Sequence, residues 1–262
     1  MKIALAQISC SLGDLKTNLS KIEQFASRAH ETGCELIVFP EMIDTGYAMS
    51  TIREHATTWS EGAVPRLCQM ARSLSLRIVC GLSERDGNAI YNSQVVIDAE
   101  GQITAKYRKT HLFAAPPIAE HLCFTPGGNL TDFEIPPFRF GLSICYDLRF
   151  PEIYRQFATE RKVNTFIISS AWPFPRLEHF RALAIARAIE NQSYLIAANR
   201  VGTDDGVTFC GSSAIIDPSG VIVASASPDR EELIQAELSD EVIKAVRGRM
   251  EVFADRRPDL YG

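Results

Sequence analysis

Phe138-Arg139-Phe140-Gly141-Leu142-Ser143-Ile144-Cys145-Tyr146-Asp147-Leu148-Arg149-Phe150-Pro151-Glu152 is the stretch on which the reading of this chain turns. Phe138, Phe140, Leu142 and Ile144 alternate with Arg139, Gly141, Ser143 and Cys145, the period of a half-buried strand. Phe150-Pro151-Glu152 then opens a helical stretch, with proline and an acid where a first turn favours them. Cys145 stands at the junction. Backbone N–H groups at such a junction favour a thiolate and can hold a developing oxyanion. A free cysteine is more often a small buried hydrophobe, and the chain has seven of them, so position alone does not make Cys145 a nucleophile.

Working outward, strands are expected at Lys2–Gln7 and Leu36–Phe39, with a helix over Asn18–Glu31 between them. A helix over Ala63–Ser75 precedes strands at Arg77–Leu82, Ile90–Ile97 and Ile103–Tyr107. Beyond Cys145 the pattern predicts a helix over Glu152–Arg161, a strand Thr165–Ser170, a helix Leu177–Ser193 and a strand Leu195–Asn199. Ser213–Asp217 and Val221–Ala224 flank the turn Pro218-Ser219-Gly220, and a strand near Leu233–Leu238 precedes a short helix and a polar tail. Strand–helix–strand near the start recurs around Cys145, which hints at two similar halves. The mixture of such units with hairpins predicts a layered α/β fold. The Pro- and Gly-containing segment Thr110–Asn129 has little periodicity, and unpatterned loops of that length are usually functional.

At 262 residues and 46% hydrophobic, the chain has enough material for a full core, and no linker divides it, so a single domain over residues 1–262 is expected. A net charge of −5 without a compensating basic cluster argues against nucleic-acid binding. No apolar run reaches membrane-spanning length, and the first residues lack a signal-peptide pattern. An odd number of scattered cysteines without C-x-x-C argues against a disulfide framework or a zinc site. These features predict a cytoplasmic protein. The Leu177–Ser193 helix is apolar nearly all round, which suggests either burial within the chain or cover by a second subunit.

Two further strand ends carry chemistry: Glu41 follows Leu36–Phe39, and Lys109 follows Ile103–Tyr107. Phe39-Pro40-Glu41, Tyr107-Arg108-Lys109-Thr110-His111-Leu112 and Cys145 through Glu152 together resemble the carbon–nitrogen hydrolase, or nitrilase, superfamily. The resemblance runs from Ala4–Gln7 through Ala186–Gln192 to Arg256-Arg257-Pro258-Asp259-Leu260-Tyr261, essentially the whole chain. It implies a four-layer αββα sandwich that pairs into a homodimer, with Glu41 as general base, Lys109 as electrostatic stabiliser and Cys145 as nucleophile. Glu120, in the long loop, matches a second acidic residue often carried there, placed to orient Lys109 or the leaving nitrogen. The resemblance is greatest to the branch containing omega-amidases, which act on 2-oxoglutaramate and related monoamides, and deaminated-glutathione amidases.

The chemistry of the residues supports these roles independently. A thiol of pKa about 8.5 is only a few per cent thiolate near neutrality, so it needs a charge such as Lys109 and an acceptor such as Glu41. Lys109 and the Tyr146 backbone N–H are suited to hold the tetrahedral oxyanion, at roughly 2.7–4 kcal/mol per donor. Covalent catalysis of this kind needs no metal or organic cofactor. Arg149, four residues beyond the thiol, is a candidate for gripping a substrate carboxylate, with Arg176 a second choice and a salt bridge to Glu152 the structural alternative. Trp172 ends a strand and is a candidate pocket wall, or plain core. A cysteine–histidine mechanism through His111 or His121, a nitrilase or N-carbamoyl amidohydrolase using the same residues, and a non-catalytic binding module are the competing readings.

Overall fold

The computed structural model describes residues 1–261. Its strands are β1 (Lys2–Gln7), β2 (Leu36–Val38), β3 (Arg77–Asp86), β4 (Ala89–Ile97), β5 (Ile103–Arg108), β6 (Asp132–Ile135), β7 (Phe138–Ile144), β8 (Thr165–Ser170), β9 (Tyr194–Asn199), β10 (Thr203–Asp204), β11 (Val207–Thr208), β12 (Ala214–Ile216), β13 (Ile222–Ser225) and β14 (Glu232–Glu237). The helices are α1 (Leu15–Glu31), α2 (Met49–His55), α3 (Ala63–Leu74), α4 (Pro151–Glu160), α5 (Leu177–Asn191), α6 (Asp240–Arg249) and α7 (Pro258–Tyr261). Among the described residues no helix is long and apolar enough to cross a membrane.

Two six-stranded sheets form, in the orders β14-β1-β2-β3-β4-β5 and β13-β12-β9-β8-β7-β6. In the first, β1, β2 and β3 run parallel and the other pairings are antiparallel. In the second, β7, β8 and β9 run parallel and the rest antiparallel. Read from β14 and from β6 respectively, the two sheets repeat one pattern of strand directions, the two similar halves that the sequence hinted at.

Alternation assigns the faces. Ile3, Leu5, Leu36, Val38, Val79 and Val96 turn inward and share a buried cluster with Phe140, Leu142, Ile167 and Ile196 of the second sheet. The opposite face of the first sheet (Ala4, Ala6, Ile37, Ile78) packs on α1 and α3 through Ile22, Phe25, Leu67 and Ala71. The outer face of the second sheet is covered by α4 and α5 through Tyr154, Phe157, Phe180 and Ala184. Helix, sheet, sheet, helix is the expected αββα sandwich. α1 starts three residues earlier than its apolar pattern indicates. Asp14 accepts from the Thr17 backbone N–H at 3.0 Å, an N-cap worth about 1 kcal/mol.

α4 begins at Pro151, where the sequence opened a helix; the addition is a separate 3-10 turn over Cys145–Arg149, between β7 and that helix. The long unpatterned segment is partly organised as well, by a 3-10 turn over Glu120–Leu122.

Candidate active site

The first parallel strands deliver their following residues to one end of the sandwich, where open α/β sheets generally bind ligands. Beyond β2, the Phe39 N–H donates to the Val79 carbonyl at 2.8 Å. The Gly81 N–H donates to Pro40 O, and the Ile43 N–H donates to Gly81 O, each at 3.0 Å. The segment carrying Glu41 therefore lies directly against Gly81. Glu41 is fully buried, and its carboxylate accepts from three elements: Asn92 Nδ2 on β4 at 2.6 Å, Lys109 Nζ at 3.0 Å, and the Ala171 backbone N–H after β8 at 2.7 Å.

Lys109 follows β5, its N–H donating to Asn92 O at 2.8 Å. Its buried ammonium bridges Glu41 and Glu120, the latter at 2.9 Å. Glu120 is also buried and saturated. It accepts from Tyr47 Oη at 2.7 Å, Asn92 Nδ2 at 3.0 Å and the Phe113 N–H at 2.7 Å. The structure thus brings Glu41, Lys109 and Glu120, drawn from distant parts of the chain, into one contact group of two carboxylates and one ammonium.

Cys145 caps β7 with φ of 43°, a left-handed conformation that costs a non-glycine residue of order 1–3 kcal/mol. The turn is closed by Asp147, whose Oδ2 accepts from the Ile144 N–H at 2.9 Å. Burial pushes the Cys145 thiol up, and the Glu41 charge adds to this, against the opposing pull of Lys109. The surroundings of Cys145 therefore favour the protonated thiol over the thiolate. Burial by itself would lower the Lys109 pKa, but the Glu120 and Glu41 charges together hold it above its ordinary value, so the ammonium persists. Burial raises the Glu41 carboxyl, with Lys109 limiting the rise.

The exposed edge of Cys145 opens into a small cleft lined also by Tyr47, Phe113, Tyr146, Arg149, Trp172 and Arg176. The Arg149 guanidinium lies 4.8 Å over the Trp172 ring and 6.0 Å from that of Tyr146. Arg176 lies 5.1 Å over Phe113. Trp172 is fixed by donation of its Nε1–H to Arg176 O at 2.8 Å. Among the described residues neither guanidinium has a carboxylate partner; the polar contact of Arg149 is with His179, at 3.3 Å, and it makes no ion pair with Glu152. Arginines stacked on rings and left without counter-ions are suited to an anionic ligand.

His111 is turned away from this chemistry. Its Nδ1 lies 2.8 Å from Asp147 and its ring stacks on Phe150 at 3.8 Å. Neither it nor His121 hydrogen-bonds Cys145 among the described residues, which leaves the cysteine–histidine reading without a contact. Asn92 and Tyr47 were missed from the sequence. Asn92 did leave a signal, since Asn92 and Gln94 place two amides on the strand face that otherwise carries Ile90 and Val96, and both are buried. Tyr47, in an irregular segment, left none.

Residues 2–248 match the family described as Carbon-nitrogen hydrolase. The chain is 36% identical over 260 residues to a 2-oxoglutaramate amidase of Bacillus subtilis (strain 168), covering 99% of this chain and 98% of that protein. It is 34% identical to a nitrilase of Pyrococcus abyssi (strain GE5 / Orsay) over 269 residues, covering 100% and 99%. Among solved structures, a mutant of the amidase from Nesterenkonia sp. AN1, showing the result of Michael addition of acrylamide at its active-site cysteine, superposes with a TM-score of 0.87. That match has 27% identity and covers 100% of this chain and 98% of the other.

Proposed function

Because this chain belongs to the carbon–nitrogen hydrolase family, and so is an enzyme that hydrolyses carbon–nitrogen bonds, we propose that it is a thiol amidase acting on a small amide with a carboxylate remote from the scissile bond. The observation that carries the substrate class is the pair of unpaired guanidiniums, Arg149 and Arg176, lining the same cleft as Cys145. An omega-amide of a dicarboxylate, such as 2-oxoglutaramate, has the required shape: amide at the thiol, carboxylate at the arginines. The Bacillus relative's named activity supports this assignment.

In this reading Glu41 takes the thiol proton as sulfur adds to the amide carbonyl. Lys109 and the Tyr146 N–H hold the resulting oxyanion, contributing roughly 2.7–4 kcal/mol per donor. Collapse breaks the C–N bond, and Glu41 returns the proton to the leaving nitrogen, releasing ammonia and leaving a thioester. Water, giving its proton to the same carboxylate, adds to the thioester; the acid departs and sulfur regains its proton. Glu120 touches no reacting atom here; it holds Lys109 in place. Two negative charges around one ammonium leave the pocket with an excess proton affinity, which suits a base that must capture a thiol proton.

A nitrilase reaction would begin with the same attack on a C≡N carbon, and the Pyrococcus relative is the observation in its favour. The deciding experiment measures ammonia release from dicarboxylate monoamides, deaminated glutathione, N-carbamoyl amines and nitriles side by side. Preference for monoamides is expected; turnover of nitriles alone would overturn the reading.

We further assign a homodimer. Ile189 on α5 and Val221, Ile222 and Val223 at the β12–β13 turn are all exposed. They are contiguous, since a Cβ on Gly220 would meet the Ile189 side chain at 2.5 Å. A second copy of the chain laid along α5 would cover this apolar surface.

A further inference from the structure

Asp147 lies in the Cys145–Glu152 motif, yet the mechanism above gives it no part. It is completely buried and accepts from five groups. Oδ2 takes the Ile144 N–H at 2.9 Å and the Tyr107 hydroxyl at 2.7 Å. Oδ1 takes the His111 N–H at 3.1 Å, His111 Nδ1 at 2.8 Å and the Thr110 hydroxyl at 3.2 Å. Two of these residues bracket Lys109 tightly. Tyr107 comes two positions before it and Thr110 directly after, and the two are joined to each other at 3.0 Å. The Ile144 N–H is the last of β7 before the nucleophile.

From this we infer that Asp147 is a positioning residue, one carboxylate that clasps the chain on both sides of Lys109 and ties it to the strained turn presenting Cys145. Lys109 and the Tyr146 N–H come from different sheets, and the oxyanion can be held only where both donors reach one point. Asp147 is the buried group that bonds both segments. The His111 imidazole belongs to this clasp, not to proton transfer. The inference rests on the reaction proposed above and concerns its chemical step rather than binding, because Asp147 lies outside the cleft lining.

The test uses the full-length chain and succinamate, a dicarboxylate monoamide, comparing wild type with Asp147→Asn, Tyr107→Phe, His111→Ala and Cys145→Ala. Asparagine puts N–H donors where donors already point. Its kcat should drop by about 100-fold, the order expected for a misplacement near 1 Å, with KM changed less than about threefold. Tyr107→Phe keeps the ring and loses the hydroxyl that bonds Asp147 and Thr110, and should lower kcat about tenfold, or roughly 1.4 kcal/mol. A folded Asp147→Asn chain with kcat near wild type overturns the inference. If that variant fails to fold, an unaltered kcat in Tyr107→Phe does so instead. His111→Ala should keep the wild-type acid limb of the pH–rate profile; loss of that limb would make His111 a proton carrier and overturn the clasp. Turnover surviving in Cys145→Ala would remove the underlying reaction itself, and this inference with it. An active wild type and a dead Cys145→Ala beside an unaffected Asp147→Asn would remove the clasp alone.

Discussion

A Cβ built on Gly81 would stand 2.6 Å from the Glu41 Cα and 2.6 Å from the Pro40 carbonyl oxygen, closer than real side chains approach backbone. Gly81 sits mid-strand on β3 and is bonded in both directions to the segment that carries Glu41. The bare backbone there permits the approach. Gly81→Ala should therefore push Glu41 out of line with Asn92, Lys109 and Ala171. We expect kcat to fall at least tenfold and stability by about 1–3 kcal/mol, as for other overpacked interiors. Steady-state rates and thermal melts check this; wild-type values in both would show the segment to be more yielding than its contacts imply.

In the proposed reaction Glu41 sets the acid side of the pH dependence. Burial raises its carboxyl above the ordinary value, and the base must be ionised to accept the thiol proton. The rate should fall as pH drops through this raised pKa, so the acid limb of kcat/KM should lie above the usual carboxylate range.

The sign for stability is the opposite. A raised folded-state pKa contributes stability that is complete below the unfolded value of 4.5 and is lost as pH rises through the folded one. Glu41→Gln abolishes that loss. The variant should be nearly inactive, yet at neutral pH no less stable than wild type in a denaturant titration. A marked destabilisation would mean that the Lys109 attraction outweighs the burial penalty.

Arg149 should act on binding more than on chemistry. Arg149→Ala removes a guanidinium held over Trp172 without a carboxylate partner. For a monoamide with a free carboxylate, KM should rise about 10- to 100-fold, the range of a charged hydrogen bond. For the corresponding neutral amide it should change little. Equal effects on both substrates would assign Arg149 to holding the wall of the cleft instead.

The dimer is tested at the exposed α5 surface. Wild type should sediment as twice 29.0 kDa, and Ile189→Glu, a charge on a half-exposed position, should shift it to 29.0 kDa. A wild type that sediments at the smaller mass at every concentration would contradict the assignment.

Most of the longer strands were legible because they depend on local pattern, whereas the groups at their ends stood out through the family resemblance. β7 alternates cleanly, and Glu41, Lys109 and Cys145 each stand one to three residues past a strand. What stayed hidden depends on contacts across the sandwich. Asn92 and Tyr47 matter because they touch Glu41 and Glu120, residues 51 and 73 positions away respectively. The 3-10 turn at Cys145 is held by a local bond instead, the Ile144 N–H to Asp147, and spans only five residues. α2 has seven residues and no side-chain cap, and the β10–β11 pair has two residues a side. Elements so short carry too few residues to establish a period.

The first sheet contains a strand from the far end of the chain: β14 pairs along all of β1, Lys2 opposite Glu237 through Gln7 opposite Glu232. During synthesis, residues 2–108 can emerge and begin to fold long before that partner exists. Until then β1 presents an unsatisfied edge to the cell, and the sheet bearing Glu41 and Lys109 waits for its border. A ribosome stalled past Cys145 but short of residue 232 would hold every proposed reacting group and still lack the strand that closes their scaffold.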